Sequence, residues 1–403
     1  MHILLIHQAF AALDEAGGTR HHELARFLVK RGHRVTIIAS PVNYLTGKKN
    51  GQNQTRAPEP GITILRAYTY TALHRNFIHR VVSFLSFMIS SFFLGLRVRK
   101  VDLVWGTSPP IFQGITAWLL ARLKRTPFLF EVRDLWPAFA IAVGILRNKI
   151  LIHSSLWLEG FLYRQADCVM VNSPGYIDHV RKHGARQVEL VQNGADPDMF
   201  DPRVDGYNFR CEHDLQDKFI VLYAGAHGMS NDLEVVLQAA ELLRNEAGIR
   251  LVLIGDGKEK RALQAKARAM NLPNLLFIPP AIKDEMPGVL AAADACIAIL
   301  KPIDLYKTTY PNKVFDYMAA GRPVVLAIDG VIRQVVETAG AGIFVRPGDP
   351  GEMAQAILGL ALAPQKARQM GLAGRSYVEE HFRRAESAEK LAQLLENMGR
   401  KSA

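Results

Sequence analysis

The residues best suited to chemistry lie in the segment from 305 to 327, which reads LYKTTYPNKVFDYMAAGRPVVLA. Lys313 carries a positive charge, and the carboxylate of Asp316 follows at helical spacing. The apolar spacing predicts a helix that opens near Asn312 and ends at Gly321. The first backbone N–H groups of a helix are unpaired and partly positive, so they can hold a phosphate. Beside a carboxylate that accepts hydrogen bonds from ribose hydroxyls, this set would bind a nucleotide sugar.

An ordinary connection between a helix and a strand is the alternative for this segment. Most helix N-termini bind no ligand, and Lys313 and Asp316 would then be solvated surface charges. In both interpretations we expect the side chain of Asn312 to cap the helix.

Arg133 and Asp134 form a second pair of candidates. They follow the apolar run from Phe128 to Val132, which is predicted to be a strand. In an open parallel sheet, polar residues just past the carboxyl end of a strand lie at the ligand crevice. These two side chains could therefore bind a ligand, or they could pair with each other and only shape the loop.

Glycines follow three of the predicted strands. Gly17 and Gly18 lie between the first strand and the first helix, where a backbone without side chains can approach a diphosphate or an acceptor group. A tight turn without a ligand explains this pair equally well, because two glycines are weaker than a full dinucleotide-binding motif. Gly225, followed closely by His227, and Gly255 end two strands further along the chain.

The predicted strands and helices alternate in two series. The first series begins at His2, and the second begins at Phe219, after the stretch QNGADPDMFDP at 192–202. An Asn-Gly pair with nearby prolines is typical of a turn or hinge. A chain of 403 residues, with 49% hydrophobic and 22% charged residues, is long enough for two globular domains. We predict an N-terminal domain over 1–195 and a C-terminal domain over 196–383.

Three local predictions concern element bounds. The second domain should contain a helix from Leu233 to Glu246 and a strand from Asp294 to Leu300. The polar stretch from Lys48 to Pro60 contains glycine and proline, and we expect it to form a mobile loop.

The segment from Val81 to Leu96 contains no charged residue, although basic residues flank it at both ends. The run is shorter than the ~20 residues of a membrane-spanning helix, so we expect that it does not cross a membrane. The serines at 83, 86 and 90 would share one helix face, and Phe84, Phe87 and Phe92 would occupy much of the rest. Such a helix could lie on an anionic membrane surface or pack in the core of the domain.

The net charge of +11 requires an anionic partner, for which a nucleotide, a membrane surface and nucleic acid all qualify. We expect no nucleic-acid binding, because no known nucleic-acid module occurs in the sequence. The three cysteines are too scattered for a disulfide framework or a paired zinc site, which fits a reduced cytoplasm. The apolar N-terminus at Ile3 to Ile6 is predicted to be a strand rather than a signal peptide.

Several motifs resemble glycosyltransferase family 4. The stretch FDYMAAGRPV, from Phe315 to Val324, resembles the donor-binding motif F-E-Y-M-A-x-G-x-P-V, and GGTRHHELARFLVKRGHRVTII resembles the first loop and helix. QNGADPDMF resembles the stretch that links the two halves of these enzymes. EVRDLWP, which includes Arg133 and Asp134, resembles a signature of a bacterial subset that builds surface polysaccharides, often from N-acetylated deoxyamino sugars such as N-acetyl-fucosamine.

The resemblance implies the GT-B fold, in which two Rossmann-like domains face each other across a cleft. The first domain would bind the acceptor, the second would bind the nucleotide sugar, and a helix over 384–403 would cross back to the first domain. The implied enzyme is a retaining, metal-independent transferase that needs no cofactor. It would use a UDP-sugar donor and a polyprenyl-diphosphate-linked saccharide acceptor, in the cytoplasm or on the inner face of the membrane.

The resemblance also assigns roles to individual residues. Asp316 takes the position of a glutamate that binds the ribose, and the uncharged Thr309 takes the position of a glutamate near the sugar. The family's Arg and Lys after the first strand of the second domain are replaced here by Gly225, Ala226, His227, Gly228 and Asn231. We therefore expect Lys301 or Lys313, and third Lys307, to meet the diphosphate charge, although each could be a solvated surface lysine.

The predicted site consists of two groups of residues. The donor-binding residues are Gly18, Gly225, His227, Gly255, Lys301, Asn312, Lys313, Val314 and Asp316. The predicted catalytic residues are Arg133, Asp134 and Thr309. Arg133 and Asp134 would orient the acceptor or sugar, and Thr309 would contact the site residues rather than the substrate. Two alternatives stay open: a nucleotide-sugar 2-epimerase on the same fold, and a catalytically silent GT-B subunit that binds a nucleotide sugar or a lipid.

Overall fold

The structure, a computed structural model, describes residues 1–47, 59–71, 77–201 and 203–400, with the side chains of 77 and 78 left out. Most of the predicted loop from Lys48 to Pro60 lies outside these residues. The chain divides into two compact units. Unit 1 comprises Met1–Gln192 and Ala385–Ala403, and unit 2 comprises Asn193–Arg384. The predicted domain bounds were 1–195, 196–383 and 384–403.

Strands and helices alternate throughout the described part of unit 1. Up to residue 192 they are β1 (His2–Ile6), α1 (Arg20–Lys30), β2 (Arg34–Ala39), β3 (Ile62–Arg66), α2 (Phe77–Arg97), β4 (Leu103–Ser108), α3 (Phe112–Lys124), β5 (Phe128–Val132), α4 (Ala138–Ala142), α5 (Lys149–Gln165), β6 (Cys168–Val171), α6 (Ile177–Lys182) and β7 (Val188–Leu190).

The same alternation continues in unit 2. Its elements are α7 (Tyr207–Glu212), β8 (Phe219–Ala224), α8 (Leu233–Leu242), β9 (Ile249–Ile254), α9 (Lys260–Ala269), β10 (Leu275–Ile278), α10 (Met286–Ala292), β11 (Ala295–Ile299), α11 (Asn312–Ala319), β12 (Val324–Ala327), α12 (Val331–Thr338), β13 (Gly342–Phe344), α13 (Pro350–Leu362) and α14 (Pro364–His381). The last helix, α15 (Arg384–Arg400), leads back into unit 1.

The described strands of unit 1 form one parallel sheet in the order β3-β2-β1-β4-β5-β6-β7. Ile3 of β1 pairs with Val35 on one side and with Leu103 on the other. Strands β1, β4, β5 and β6 are buried along their whole length, as expected for a parallel sheet covered by helices on both faces. The strand order reverses between β1 and β4, which makes this a doubly wound, Rossmann-like sheet.

The described strands of unit 2 form a second parallel sheet in the order β10-β9-β8-β11-β12-β13. Cys296 of β11 pairs with Leu222 of β8 and with Val324 of β12. The strand order reverses between β8 and β11. Ligands of doubly wound sheets bind beyond the carboxyl ends of the strands at such a reversal. The two Rossmann-like units predicted from the sequence are therefore both present.

Helix α15 completes the core of unit 1, as the family resemblance implies for the last helix. Leu391, Ala392 and Leu395 are fully buried in the same cluster as Ile3 of β1. At the surface, Arg31 Nη1 lies 2.5 Å from a carboxylate oxygen of Glu389. The chain therefore crosses from unit 2 back to the unit in which it began.

Some predicted bounds were wrong. Helix α8 ends at Leu242 rather than at Glu246, because the chain turns there before β9 begins. Asp294 lies outside β11, and its carboxylate accepts hydrogen bonds from Arg210 Nη2 (2.9 Å) and from the backbone N of Ile220 (2.7 Å). Strand β3 was not predicted, because it is a short, incompletely buried strand at the edge of the sheet.

Among the described residues, helix α2 packs along one side, through two adjacent faces. Phe87 and Ser91 are fully buried, and Thr116 of α3 donates a hydrogen bond to the carbonyl of Met88 (2.9 Å). The backbone N of Tyr70 donates to Ser86 Oγ (2.8 Å). The opposite face exposes large apolar side chains, which are Val82, Leu85, Ile89, Phe93 and Leu96.

By length and composition, α2 is the one described helix that could span a membrane, over His79–Arg97. Of this apolar stretch, 17% is buried. The sequence-based expectation that this segment is too short to span was therefore wrong on length. A fully buried core helix, one of the two alternatives from the sequence, does not describe α2 either.

Candidate active site

Unit 2 brings Gly225 and Lys313 together at the ends of β8 and β11. Gly225 directly follows β8 with φ +154°, a backbone conformation that L-side chains rarely adopt. A Cβ atom at this position would lie 2.5 Å from Lys313 Nζ. The same ammonium group lies 3.9 Å from the centroid of the Tyr223 ring. The absence of a side chain at Gly225 thus makes room for the Lys313 ammonium.

Burial lowers the pKa of Lys313 from 10.5 to about 7. The shift arises because a positive charge is less stable away from water. A phosphate bound beside Lys313 would favour the charged form and raise this pKa again. Near neutral pH the side chain is therefore able to gain a proton as it binds an anion.

The helix that carries Lys313 begins differently from the prediction. Pro311 occupies the N-cap position of α11, and no side chain caps this helix among the described residues. Asn312 is already the first helical residue. Its Nδ2 donates to Asp316 (3.4 Å), and its Oδ1 accepts from Arg384 Nη2 (3.3 Å). The predicted cap was wrong because the Asn312 side chain is engaged by these two partners.

Asp316 lies near two cations, and one of its carboxylate oxygens has no hydrogen-bond partner among the described residues. Its Oδ2 is 3.5 Å from Lys283 Nζ, and its Oδ1 is 3.8 Å from Arg384 Nη2. Oδ1 is buried and makes no hydrogen bond to any described residue, although 18% of the side chain is exposed. Buried polar atoms are normally hydrogen-bonded, so this oxygen is suited to accept from a ligand hydroxyl.

His227 is fully buried beside Gly225 and Gly255. Both of its ring nitrogens are without a hydrogen-bond partner among the described residues. Burial, followed by the charges of Lys260 and Lys313, lowers the pKa of His227 to about 4, so the ring is neutral near pH 7. A Cβ atom at Gly255 would overlap the carbonyl oxygen of Gly225. Both glycines are therefore required for the close packing of these two loops.

In unit 1, Arg133 and Asp134 follow β5 as predicted, but they do not pair with each other in the described structure. Arg133 Nε donates to Thr107 Oγ1 (2.9 Å), and Arg133 Nη2 donates to the carbonyl of Pro109 (3.1 Å). Burial raises the pKa of Asp134 to about 6, against the effect of the Arg133 charge. Arg133 fixes the loop after β4, and Asp134 is a carboxyl group that can titrate near physiological pH.

Comparison with known proteins identifies the family. Residues 16–194 match the glycosyl transferase 4-like domain, and residues 218–362 match the glycosyl transferases group 1. The chain belongs to the GT-B glycosyltransferases.

One named protein and two solved structures are similar to this glycosyltransferase over most of its length. It is 25% identical to WcaI of Escherichia coli (strain K12), which is named as a colanic acid biosynthesis glycosyl transferase, over 85% of this chain and 88% of WcaI. Sucrose-phosphate synthase of Thermosynechococcus elongatus has a TM-score of 0.80 at 20% identity, covering 98% of both chains. Anabaena HepE in complex with UDP-glucose has a TM-score of 0.75 at 15% identity, covering 98% of this chain and 100% of HepE.

Lys301 and Lys307 of this glycosyltransferase, which were also predicted to bind the donor, contact other groups of unit 2. The backbone N of Lys301 donates to the carbonyl of Ser230 (2.9 Å), so Lys301 holds the loop after β8. Lys307 Nζ lies 2.8 Å from Asp304 and 4.0 Å from Asp329, so its charge is already met by carboxylates. Lys307 is therefore less suited to a diphosphate than Lys313.

Three further residues that the sequence predicts for the site are Val314, Thr309 and Gly18. Val314 is fully buried in the core of unit 2, so only its backbone can approach a ligand. Thr309 follows the 3₁₀ turn at Asp304–Thr308, and its backbone N donates to Tyr306. Gly18 lies in unit 1, where its backbone N donates to the hydroxyl of Tyr44 (2.9 Å).

Sequence reasoning missed three cations in unit 2. Lys283 and Arg384 flank Asp316, and Lys260 Nζ donates to the carbonyl of Gly255 (2.6 Å). Lys260 belongs to GDGKEK, where a lysine after a glycine-rich strand end could have drawn attention. Lys283 and Arg384 gave no such signal, because they reach Asp316 from distant parts of the chain.

A buried cluster in unit 1 was also missed. Glu131 of β5 is fully buried and accepts from His21 Nε2 (2.6 Å), Trp105 Nε1 (3.2 Å) and Arg20 Nη1. Although burial opposes ionisation, the charges on His21, Arg20 and Arg133 hold the pKa of Glu131 well below its usual range. This cluster fixes α1 against the sheet. A charge inside an otherwise apolar strand is the signal that could have found it.

Proposed function

We propose that this glycosyltransferase is a retaining, metal-independent hexosyltransferase. It moves a sugar from a UDP-sugar to a hydroxyl of a polyprenyl-diphosphate-linked saccharide during surface polysaccharide synthesis. The observation that carries the proposal is the cluster at the ends of β8 and β11, where Lys313, the start of α11 and Asp316 Oδ1 lie within one unit. The UDP-glucose bound in HepE and the colanic acid pathway named for WcaI also support it.

The donor would be held by unit 2 as follows. The first N–H groups of α11 and the Lys313 ammonium bind the diphosphate, and Asp316 Oδ1 accepts hydrogen bonds from the ribose. His227, neutral and without a hydrogen-bond partner among the described residues, donates to a phosphate or sugar oxygen. Because Gly225 and Gly255 have no side chains, the space beside Lys313 and His227 stays open.

These same groups would stabilise the leaving UDP. Negative charge grows on the diphosphate as the bond to the sugar breaks, and a cation with oriented N–H groups is most effective there. Lys313 and α11 supply both, so we propose that the reaction requires no metal ion. The retaining course follows from the family resemblance, in which the leaving phosphate itself accepts the proton of the attacking hydroxyl.

The proposed donor sugar and acceptor are inferred from the sequence. EVRDLWP favours a donor whose sugar is an N-acetylated deoxyamino sugar, as in N-acetyl-fucosamine-type transferases. Unit 1 would bind the acceptor, and Asp134 would orient the acceptor hydroxyl or the sugar while Arg133 fixes the loop behind it. Because its pKa is about 6, Asp134 is mostly ionised at pH 7 and can accept a hydrogen bond.

We further propose that the enzyme works in the cytoplasm on the inner surface of the membrane. The exposed apolar face of α2 ends in basic residues, which are Arg97, Arg99 and Lys100. An apolar face with adjacent positive charge is typical of helices that lie in the interface of an anionic membrane. The contacts of α2 with α3 and with Tyr70 favour a helix that lies on the membrane over one that crosses it.

A screen of nucleotide sugars tests the proposed donor. Purified protein is heated with UDP, with UDP-linked sugars that include N-acetylated deoxyamino sugars, and with GDP-linked sugars as controls. A ligand that binds only the folded protein raises its melting temperature. We expect UDP and one UDP-sugar to stabilise the protein, and that donor to be consumed with a polyprenyl-diphosphate-linked acceptor in the presence of EDTA.

Other outcomes would identify a different function. Release of a 2-epimer from the donor without any acceptor would indicate an epimerase. Donor binding without turnover on every lipid-linked acceptor would indicate a silent binding subunit. Stabilisation by GDP-sugars alone would contradict the UDP assignment.

A further inference from the structure

Two helices of unit 1 bring together three side chains that the transfer reaction does not use. Glu159 lies on α5, His179 lies on α6, and His183 directly follows the end of α6. One possible ligand atom from each side chain lies within 4.8 Å of the others. Two imidazoles and a carboxylate are a frequent ligand set for transition metals in proteins.

The carboxylate of Glu159 is fully buried, and its hydrogen bonding is incomplete. Oε1 accepts from the hydroxyl of Tyr163 (2.9 Å) and lies 2.9 Å from His179 Nε2. Oε2 is buried without a hydrogen-bond partner among the described residues. A buried carboxylate oxygen in this state is costly, and it favours a bound cation that completes its coordination.

A contact with the backbone holds the ring of His183 in place. Its Nδ1 lies 2.8 Å from the carbonyl oxygen of His179. A carbonyl can only accept, so Nδ1 carries the proton and Nε2 keeps its lone pair. Metal-binding histidines nearly always donate their second N–H to a carbonyl or a carboxylate in this way. The rings of His179 and His183 are stacked, with centroids 4.1 Å apart, and a possible ligand atom of each lies within 4.8 Å of the other.

We propose that Glu159, His179 and His183 bind one divalent transition-metal ion of the Zn²⁺ class. A tetrahedral ion with bonds of about 2.0–2.1 Å holds its ligand atoms roughly 3.3 Å apart, so the present spacing requires only small side-chain movements. The ion replaces the proton between His179 Nε2 and Glu159 Oε1, and that proton moves to Nδ1 or to water. A water molecule takes the fourth position.

The ion would link α5 to α6. These helices are joined at this point by the contact between Glu159 and His179, and a metal would add His183 to the link. His179 is 18% exposed, so an ion can reach the site from solvent. A structural metal stabilises the folded state, because the unfolded chain does not hold the ligands together.

Zinc binding by the full chain tests the proposal. Protein treated with a chelator is dialysed against Zn²⁺, and bound zinc is measured for the wild type, for His179→Ala and for His183→Ala. His153→Ala is the matched control, because His153 lies exposed on α5 with its Nδ1 3.0 Å from the carbonyl of Lys149. We expect one bound Zn²⁺ in the wild type and in the control, and none in the other two variants.

Two further measurements separate a metal site from a simple hydrogen-bonded link. Co²⁺ bound to the wild type should show the visible absorption of a tetrahedral site, and Zn²⁺ should raise the melting temperature of the wild type but not of His183→Ala. If the link is only hydrogen-bonded, neither ion binds to the wild type and Zn²⁺ leaves its melting temperature unchanged, which would overturn the proposal. Equal zinc binding by the wild type and His183→Ala would overturn the proposal, and the outcome does not depend on donor binding.

Discussion

At the residue scale, Lys313 combines a position beside Gly225 with a pKa lowered to about 7 by burial. The free protein therefore holds this lysine partly neutral near physiological pH. An anionic donor would restore its charge, so donor binding and proton uptake are coupled. This coupling gives the proposed site a dependence on pH that a solvated surface lysine would not show.

Donor affinity is expected to fall as the pH rises above about 7. The sign follows because the free protein loses the Lys313 proton near that pH, whereas the donor complex keeps it until a higher pH. The decrease should approach tenfold per pH unit until the pKa of the complex is reached. Calorimetric titration of UDP at several pH values measures it, and Lys313→Met should bind weakly and show little pH dependence over this range.

The same shift predicts the effect of pH on stability. The pKa of Lys313 is lowered on folding, so the unfolded chain binds the proton more tightly and the charged lysine destabilises the folded state. This cost falls, and the free energy of unfolding rises, as the pH increases from about 7 toward the pKa of 10.5 of the unfolded chain. Lys313→Met should remove that contribution from a series of urea unfolding curves. An unchanged pH dependence of the unfolding free energy would contradict the burial of this ammonium.

Asp316 is expected to contribute to donor affinity through the ribose. Asp316→Asn should raise the dissociation constant for UDP about 5- to 10-fold, since a hydrogen bond contributes roughly 1 kcal/mol and more when one partner is charged. Asp304→Asn is the control, because Asp304 is exposed and pairs with Lys307.

A comparison of UDP with 2′-deoxy-UDP and 3′-deoxy-UDP distinguishes a ribose contact from a general loss of structure. The wild type should bind at least one of these analogues more weakly than UDP, whereas Asp316→Asn should bind that analogue and UDP equally well. If Asp316→Asn weakens the binding of both analogues as much as it weakens the binding of UDP, Asp316 does not contact the ribose.

At the element scale, α2 differs from an ordinary core helix. Its buried face packs with Phe87 and Ser91, and its serine face meets the chain at Tyr68 and Tyr70. The third face leaves apolar side chains exposed, including Ile89 at 55% and Phe93 at 59%. An exposed apolar stripe of this kind is typical of a surface that binds a partner or a membrane.

Membrane binding should depend on the exposed face of α2 rather than on its buried phenylalanines. The double change Ile89→Ser and Phe93→Ser should reduce binding to vesicles that contain an anionic lipid, without lowering the melting temperature. Sedimentation with vesicles measures the bound fraction. Leu242→Ser and Leu372→Ser, which alter exposed leucines of unit 2, are the controls. Equal binding by all variants would exclude α2 as the membrane contact.

At the scale of the whole molecule, the two ends of the chain build one core. Helix α15 follows unit 2 in sequence, but its leucines are buried with β1 in unit 1. Unit 1 therefore cannot complete its hydrophobic core until the last residues of the chain have been added. Unit 2, by contrast, is formed from one continuous segment.

Leu395→Ala is expected to destabilise unit 1 by about 2–5 kcal/mol, because it leaves a cavity in a fully buried cluster. Leu362→Ala should have little effect, since that leucine is 78% exposed. Thermal or urea unfolding measures both changes. Binding of UDP at a temperature where the variant is folded should be retained, because the donor cluster lies in unit 2.

The sequence determined the fold class because its signals are local. Apolar runs of strand length, helical spacing and Asn-Gly punctuation depend only on neighbouring residues, and they indicated two parallel α/β units and a final helix. The same local logic drew attention to Lys313, Asp316 and the glycines at strand ends, which the structure brings together in unit 2.

Which side chains meet across distant segments depends on the tertiary structure. It joins Asn312 to Arg384, which replaces the expected cap, and it pairs Lys307 with Asp304 and Asp329. The exposed stripe of α2 and the contact of Glu159 with His179 have the same origin. Sheet order and helix packing set these distances, and neither can be calculated from the spacing of residues along the chain.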